Sequence, residues 1–304
     1  STYARINRSP LDFSSPLCHT EYGTIHHFYC ERNPNFMTKK CVFFDADGTI
    51  LDIEKGVPAD VKPAIRQLIQ NGHLAFLCTG RSRAYIPKEV EEMGLTGMIT
   101  NLGAYMEYQG KCILNREVSP QDAKRAVEIL RTCGMVPVLE GAEYMYYDLD
   151  EYTTDVDWFA DLITRDVGAR RLPIRGNESN LHISKISAKK MPGCFPQKAC
   201  QELEPIFDSI RHEGNFVGKT IEFITKGCSK GLAICVICAV LGIDMRDTIA
   251  FGDSNNDLAM FQVVHTKIAM GNGSSELIRQ ADYVTDPLEK GGIPKALRHL
   301  GLIS

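Results

Sequence analysis

Short polar segments follow several apolar runs of the sequence, and they contain residue types suited to metal-ion and phosphoryl chemistry. These segments are Asp45-Ala46-Asp47-Gly48-Thr49, Thr79-Gly80-Arg81, Ser229-Lys230-Gly231 and Gly252-Asp253-Ser254-Asn255-Asn256-Asp257. In open parallel sheets the ligand lies beyond the carboxyl ends of the strands, so we expect these groups to meet at one rim. Carboxylates crowded together repel one another unless a cation neutralises them, and an all-oxygen set suits Mg²⁺. A carboxylate that attacks phosphorus would form an aspartyl phosphate.

Each of these segments also has a purely structural interpretation. An aspartate after a strand, such as Asp45 or Asp47, often caps a helix or forms an Asx turn. Thr79-Gly80 alone would be a strand-to-helix turn, and Gly252-Asp253-Ser254 alone would be a loop. Lys230 is different, because a cation at a helix N-terminus opposes the helix dipole and therefore favours a functional reason. The joint occurrence of the four segments, each at a strand or helix end, indicates a site.

Apolar runs alternate with helical patterns on both sides of the chain's middle section. Strands are predicted over 41–44, 74–78, 97–100, 248–251 and 267–270, and a hairpin over 105–115 that turns at Gln109-Gly110. Helices are predicted over 57–70, 83–93, 230–241, 256–262 and 275–280. This alternation indicates an α/β fold with a doubly wound parallel sheet that is covered by helices on both faces.

The middle of the chain breaks that rhythm and predicts a second domain. It has a helical pattern over 120–133, strand signals over 135–147 and 181–186, and an acidic stretch around 148–161. Its later part, Arg165–Lys190, has seven Lys or Arg against two acidic residues, which suits either an anionic substrate or a solvated surface. We therefore expect an α+β domain over 118–218, inserted into a core formed by 37–117 and 219–304.

Composition places the chain among ordinary globular proteins. Its 304 residues are 44% hydrophobic and 24% charged, and 34 Lys and Arg against 38 Asp and Glu give a net charge of −4. This balance argues against nucleic acid as a partner. The longest apolar run, 231–243, is too short for a membrane span, which needs about 20 residues. The 11 scattered cysteines fit reduced thiols and hence the cytoplasm.

The first 36 residues differ from the rest and are expected to be a poorly ordered extension. They are rich in Ser, Pro, Asn and His and show no period. They have neither the continuous apolar centre of a secretory signal nor the acid-poor composition of a transit peptide. Met37 stands directly before the first convincing strand.

The four segments together resemble the haloacid dehalogenase superfamily, specifically the Cof-type phosphatases with an inserted type IIB cap. Phe44–Thr49 is similar to the first motif of that superfamily, Leu77–Arg81 to the second, Lys230-Gly231 to the third and Gly252–Asp257 to the fourth. Asn101-Leu102-Gly103-Ala104 resembles the family's Asn-Gly-Ala segment, with Leu102 inserted. The resemblance extends from about Met37 to the C-terminus, and in the cap it rests on position and length.

The resemblance implies a role for each site residue. Asp45 would be the nucleophile, and Asp47 would protonate the leaving group and then activate water. Mg²⁺ would be bound by Asp45, the main-chain carbonyl of Asp47 and Asp253, with support from Asp257. The phosphoryl group would be bound by Thr79, the Gly80 amide, Lys230 and Asn256.

Two alternatives stay open beside a Mg²⁺-dependent phosphatase. A phosphohexomutase of the same superfamily carries a similar first motif and cap, but it resembles this chain less at Gly252–Asp257. A non-catalytic protein that binds phosphorylated metabolites would usually have lost a carboxylate. The substrate, whether a sugar phosphate, a nucleotide, flavin mononucleotide or pyridoxal phosphate, is not predicted, nor is the oligomeric state. Arg175, His182 and Lys185 are candidate selecting residues in the cap.

Overall fold

The computed structural model describes residues 39–151, 158–211 and 220–304, and the predicted extension over 1–36 lies outside these ranges. The described strands, in chain order, are β1 Cys41–Phe44, β2 Leu74–Cys78, β3 Gly97–Thr100, β4 Tyr105–Tyr108, β5 Lys111–Asn115, β6 Met135–Glu140, β7 Met145–Tyr146, β8 Arg171–Leu172, β9 Lys185–Lys190, β10 Phe207–Arg211, β11 Thr220–Thr225, β12 Thr248–Gly252, β13 Thr266–Ala269 and β14 Tyr283–Val284. The described helices are α1 Val61–Gln70, α2 Lys88–Glu91, α3 Pro120–Thr132, α4 Trp158–Val167, α5 Pro196–Leu203, α6 Lys230–Leu241, α7 Leu258–Phe261, α8 Ser275–Gln280 and α9 Gly292–His299.

The first sheet has eight strands in the order β14-β13-β12-β1-β2-β3-β4-β5. The six strands from β14 to β3 are parallel, and the β4–β5 hairpin continues the sheet antiparallel to β3. Because β1 is central, its end lies between the ends of β12 and β2. This register brings the three strands that carry the predicted motifs side by side.

Successive residues of β1 point to opposite faces of this sheet, and each face carries helices. Val42 and Phe44 belong to an apolar cluster with α1 and α9. Cys41 and Phe43 belong to another cluster with α6 and α7. Burial on both faces explains why β1 reads as a continuous apolar run rather than an alternating one. The predicted α/β class with a doubly wound parallel sheet is confirmed.

A second sheet has six strands in the order β10-β11-β9-β6-β7-β8, antiparallel except for the β7–β8 pair. Helices α3 and α5 pack on it through a separate apolar cluster that includes Leu130, Leu139, Leu203 and Phe223. We call the region from α3 to β11 the second domain, and the rest of the described chain the first domain. Strand β11 lies beyond the expected limit at residue 218, so the second domain extends to Thr225.

Proline accounts for one of the differences between the predicted helices and those in the structure. The segment 83–93 contains a 3-10 turn at Arg83–Tyr85 and the short helix α2 instead of one helix. Pro87 disfavours helical backbone at the residue before it, and Ile86 is extended with φ −76° and ψ 124°. The predicted helix over 57–70 begins instead at Val61.

Among the residues that the structure describes, no helix combines the length and the apolar character needed to cross a bilayer.

Candidate active site

The chain turns sharply after β1 and leaves Asp45 buried at the strand end. The backbone N–H of Asp45 donates to the carbonyl of Phe251 at 3.0 Å, which extends the pairing of β1 with β12 past the strand. The carbonyl of Ala46 then accepts from Ile50 and Leu51, at 2.9 Å each. This compact turn directs Asp45 towards the loop that follows β12.

The loop after β12 is organised around the buried carboxylate of Asp257. Its Oδ2 atom accepts hydrogen bonds from the backbone N–H groups of Asp253 and Ser254, at 3.0 Å each. Its Oδ1 atom accepts from the ammonium of Lys230. One aspartate therefore shapes the loop and also contributes charge to the site.

Lys230 brings a buried ammonium to the two strand ends. Ser229 caps α6 by accepting from the backbone N–H of Leu232 at 3.1 Å, and this fixes Lys230 in the first turn. The Nζ atom donates to Asp45 Oδ1 at 2.6 Å, to Asp257 Oδ1 at 2.7 Å and to Asn256 Oδ1 at 3.1 Å. Burial alone would lower the pKa of Lys230, but Asp257 and Asp45 raise it above its usual range. The site thus contains a permanent positive charge, although the dipole of α6 disfavours a cation at its N-terminus.

Asp45, Asp253 and Asp257 form a cluster in which one carboxylate oxygen from each lies within 4.8 Å of the others. The Oδ1 atom of Asp253 is buried and has no hydrogen-bond partner. Burial and the neighbouring Asp257 raise the pKa of Asp253 to about 7, and the same causes raise the pKa of Asp45 well above its usual range. Converging carboxylate oxygens with an unused acceptor suit a hard divalent cation, so these residues fit Mg²⁺.

Asp47 lies away from that carboxylate cluster and pairs with Arg81. The Nε atom of Arg81 donates to Asp47 Oδ2 at 2.9 Å, and its Nη2 atom donates to Asp47 Oδ1 at 2.8 Å. Sequence reasoning quoted Arg81 as part of a motif but gave it no role. Its position three residues after the end of β2, in the same motif as Thr79, was the available signal.

The end of β2 contributes Thr79 and Gly80. Thr79 is buried, and its Oγ1 atom accepts from the backbone N–H of Arg81 at 3.1 Å. The Gly80 carbonyl accepts from Lys185 Nζ of the second domain at 3.0 Å. The adjacent turn at Asn101 has φ 51°, and the Asn101 side chain donates to Glu140 and Ser184 of the second domain. The second domain therefore packs directly against the β2 end of the site.

The three candidate selecting residues have different positions. Lys185 is buried between Glu140 (3.3 Å) and Glu222 (2.6 Å), and these carboxylates raise its pKa to about 12 although burial opposes this. His182 and Arg175 are exposed, and they pair with Glu117 and Asp150 respectively. Of the three, only Lys185 contacts a predicted site residue.

Taken together, the rim provides a buried carboxylate paired with an ammonium, a carboxylate cluster that fits a cation, and a second carboxylate held apart. This arrangement is suited to transferring a phosphoryl group, because that reaction depends on positioning and on neutralising charge. Of the residues predicted from sequence, the structure brings together Asp45, Lys230, Asp253, Asn256 and Asp257. Asp47 joins them through the backbone turn rather than through its side chain.

Comparison with known proteins identifies the family. A family model described as haloacid dehalogenase-like hydrolase matches residues 42–297. YkrA of Bacillus subtilis (strain 168), which is named as a phosphatase, is 31% identical over 271 residues, 88% of this chain and 100% of that protein. YwtE of the same organism, named as a 5-amino-6-(5-phospho-D-ribitylamino)uracil phosphatase, is 26% identical over 278 residues, 84% of this chain and 95% of that protein.

Solved structures agree with this result. A hypothetical protein from Geobacillus kaustophilus HTA426 is 28% identical, with a TM-score of 0.75 over 87% of this chain and 100% of that one. The subclass IIB sugar phosphatase BT4131 has a TM-score of 0.69 at 23% identity over the same shares, which shows a shared fold. The chain belongs to the haloacid dehalogenase-like hydrolases. Within that superfamily it is a Cof-type phosphatase, as its four motifs predicted.

Proposed function

We propose that this chain is a Mg²⁺-dependent phosphatase that hydrolyses small phosphorylated metabolites through an aspartyl phosphate on Asp45. The observation that carries the proposal is the meeting of Asp45 with Asp253, Asp257 and the ammonium of Lys230. The partnerless Oδ1 atom of Asp253 supports a bound cation there. The metal ligands would be Asp45, the Asp47 carbonyl, Asp253 and Asp257.

In the first half of the proposed reaction, a carboxylate oxygen of Asp45 attacks phosphorus in line with the ester oxygen. A P–O bond to Asp45 forms, and the bond to the leaving alkoxide breaks. Asp47 donates a proton to that alkoxide, so the alcohol leaves neutral. Lys230 neutralises charge at Asp45, while Thr79, the Gly80 amide and Asn256 orient the phosphoryl oxygens.

In the second half, the carboxylate of Asp47 takes a proton from water as the water attacks the phosphorus of the aspartyl phosphate. The acyl phosphate P–O bond breaks, inorganic phosphate forms, and Asp45 is regenerated. Bound Mg²⁺ supplies charge neutralisation for the phosphoryl oxygens throughout.

The relatives support small phosphorylated molecules as the substrate class. YwtE, 26% identical, acts by its name on a phosphorylated ribitylaminouracil. We therefore propose to test a panel of candidate substrates, which contains that compound, sugar phosphates, nucleotides, flavin mononucleotide and pyridoxal phosphate. The described cysteines are all free thiols, which supports a reducing compartment such as the cytoplasm. Neither nucleic acid nor a membrane is part of this proposal.

The test is phosphate release from this panel with Mg²⁺ and with chelator, for the wild type and for Asp45→Asn. We expect Mg²⁺-dependent release from the wild type and a loss of about 10³-fold or more in Asp45→Asn, since the nucleophile is removed. Asp122→Asn is the matched control, because Asp122 is a half-buried carboxylate at the start of α3, in the second domain, that pairs only locally with Ser119. Borohydride reduction during turnover should convert phosphorylated Asp45 to homoserine.

Retained activity in Asp45→Asn would contradict the covalent mechanism. Interconversion of sugar phosphates without phosphate release would instead favour the phosphohexomutase. Binding of panel members without any turnover by the folded wild type would favour the non-catalytic protein.

A further inference from the structure

We propose that Asp166, in α4 of the second domain, positions the carboxyl group of Asp47 by way of Arg81. The inference rests on the proposed function, because it takes Asp47 to be the group that moves the proton. It goes beyond that function by assigning Asp166 and Arg81 roles as positioning residues. It also makes the proton transfer depend on how the second domain is docked.

The first link is the fork between Arg81 and Asp47. Two nitrogen atoms of the guanidinium bind the two carboxylate oxygens of Asp47 at 2.8 and 2.9 Å. Because the guanidinium is planar and its donors are fixed, such a pair sets the rotation of the carboxylate as well as its position. The orientation of Asp47 therefore follows the orientation of Arg81.

The second link is the contact between Arg81 and Asp166. The Nη1 atom of Arg81 donates to Asp166 Oδ2 at 3.1 Å and more weakly to the Tyr85 carbonyl at 3.4 Å. The guanidinium also stacks on the Tyr85 ring at 4.4 Å. The side chains of Arg81 and Asp166 are only 6% and 8% exposed. A buried guanidinium needs carboxylate partners, so loss of Asp166 would leave it held strongly on one side only.

The third link is the packing of α4 against the first domain. Ile163 and Val167 share an apolar cluster with Ala84 and Tyr85, directly beside Arg81. A residue beyond α4, Arg170, donates to Glu91 at 3.2 Å and to the Ile86 carbonyl at 3.0 Å. Docking of α4 therefore delivers Asp166 to Arg81.

A comparison of two leaving groups distinguishes a misplaced proton donor from a general structural effect. An alkoxide must be protonated as it departs, whereas p-nitrophenolate is stable enough to leave without a proton. Misplacing Asp47 should therefore slow hydrolysis of an alkyl ester far more than hydrolysis of p-nitrophenyl phosphate. A loosened domain contact that acts on substrate binding should affect the two esters alike.

The experiment measures kcat and KM for ribose 5-phosphate and p-nitrophenyl phosphate in Asp166→Ala. General acid catalysis contributes about 10²- to 10⁴-fold, so we expect kcat for ribose 5-phosphate to fall about 10-fold or more, and kcat for p-nitrophenyl phosphate by less than about 3-fold. Alanine favours helix, so α4 itself is not weakened. Arg81→Lys, which keeps the charge but loses the fork, should show the same selectivity. Asp166→Glu, which keeps the carboxylate, should retain most of the wild-type kcat for ribose 5-phosphate.

Glu91→Ala is the matched control, because Glu91 also joins the two domains but does not contact Arg81 or Asp47. We expect it to change the two substrates by the same factor. If Glu91→Ala loses kcat for ribose 5-phosphate as selectively as Asp166→Ala does, the inference is overturned. A loosened domain contact would then be enough to explain the selectivity.

Asp47→Asn separates failure of the inference from failure of the proposed function. If Asp47→Asn loses the alkyl ester selectively but Asp166→Ala and Arg81→Lys do not, the inference is overturned and the proposed function stands. If Asp47→Asn itself is not selective, the proposed role of Asp47 fails, and the inference fails with it.

Discussion

The carboxylate of Asp253 occupies space that only a glycine at position 48 leaves open. A Cβ atom on Gly48 would lie 2.2 Å from Asp253 Oδ2, far inside van der Waals contact. Gly48 also has φ +81°, in the left-handed region that side chains disfavour. The residue after Asp47 therefore determines where a proposed metal ligand in the loop after β12 can lie.

Gly48→Ala should consequently lose both stability and the cation site. Strain at a left-handed position costs about 1–3 kcal/mol, and the clash adds displacement of Asp253. We expect a lower free energy of unfolding in urea, together with Mg²⁺ affinity and kcat reduced about 10-fold or more, as a misplaced site group loses rate steeply.

Gly72→Ala is the control that distinguishes backbone strain from displacement of Asp253. Gly72 has φ +89°, but a Cβ atom there would meet nothing within 4 Å. This variant should lose stability through strain and keep the Mg²⁺ affinity and kcat of the wild type. Equal losses of activity in the two variants would show that Asp253 is not displaced.

At the scale of elements, β1 and β2 are joined at their amino ends by a histidine. The backbone N–H of Lys40 donates to Nδ1 of His73 at 3.1 Å. Burial and the charge of Lys40 lower the pKa of His73 from its ordinary value. Protonation would therefore occur more readily in the unfolded chain, and it would remove the acceptor that joins the two strands.

The pH dependence of stability follows from this shift. With a lowered pKa in the folded state, the His73 contribution is present above its unfolded pKa of about 6.5 and is lost as pH falls below it. The free energy of unfolding should decline more steeply between pH 7 and pH 5 in the wild type than in His73→Gln. Urea unfolding across this range tests it, and parallel curves would contradict the assignment to His73.

The sequence carried the information for every strand of the first domain except β14, because the signals of these strands are local. A run of buried apolar residues that ends at Asp45, Thr79 or Gly252 marks both the strand and the rim where ligands bind. The contact of Asp166 with Arg81 had no such signal, because it forms only when α4 docks against the first domain. Strand β11 was also missed, since its place in the second sheet depends on pairing with β9 and β10.

At the scale of the molecule, each domain has apolar clusters of its own besides the one that α4 shares with Ala84 and Tyr85, while the proposed cation site lies only on the first domain. Ligand binding stabilises the state that holds it, by about 2.7 kcal/mol when the ligand is at 100 times its Kd. Mg²⁺ should therefore slow hydrogen exchange in β1 and β12 and leave β9 and β11 nearly unchanged.

Exchange measured by mass spectrometry, with Mg²⁺ and with chelator, tests this distribution. Asp253→Asn should abolish the protection of β1 and β12. Equal slowing in both sheets would mean that the cation binds elsewhere or that the domains unfold as one unit.

The two connections between the domains lie side by side. The backbone N–H of Val118, before α3, donates to the Ile183 carbonyl at 2.9 Å, and that of Thr225, at the end of β11, donates to the carbonyl of the next residue, Ser184, at 3.2 Å. A segment whose two ends are neighbours can be exchanged for another of different size without moving the strands on either side. Evolution can therefore replace the whole second domain as a module. The chemistry at the rim is then kept while the substrates of the enzyme change.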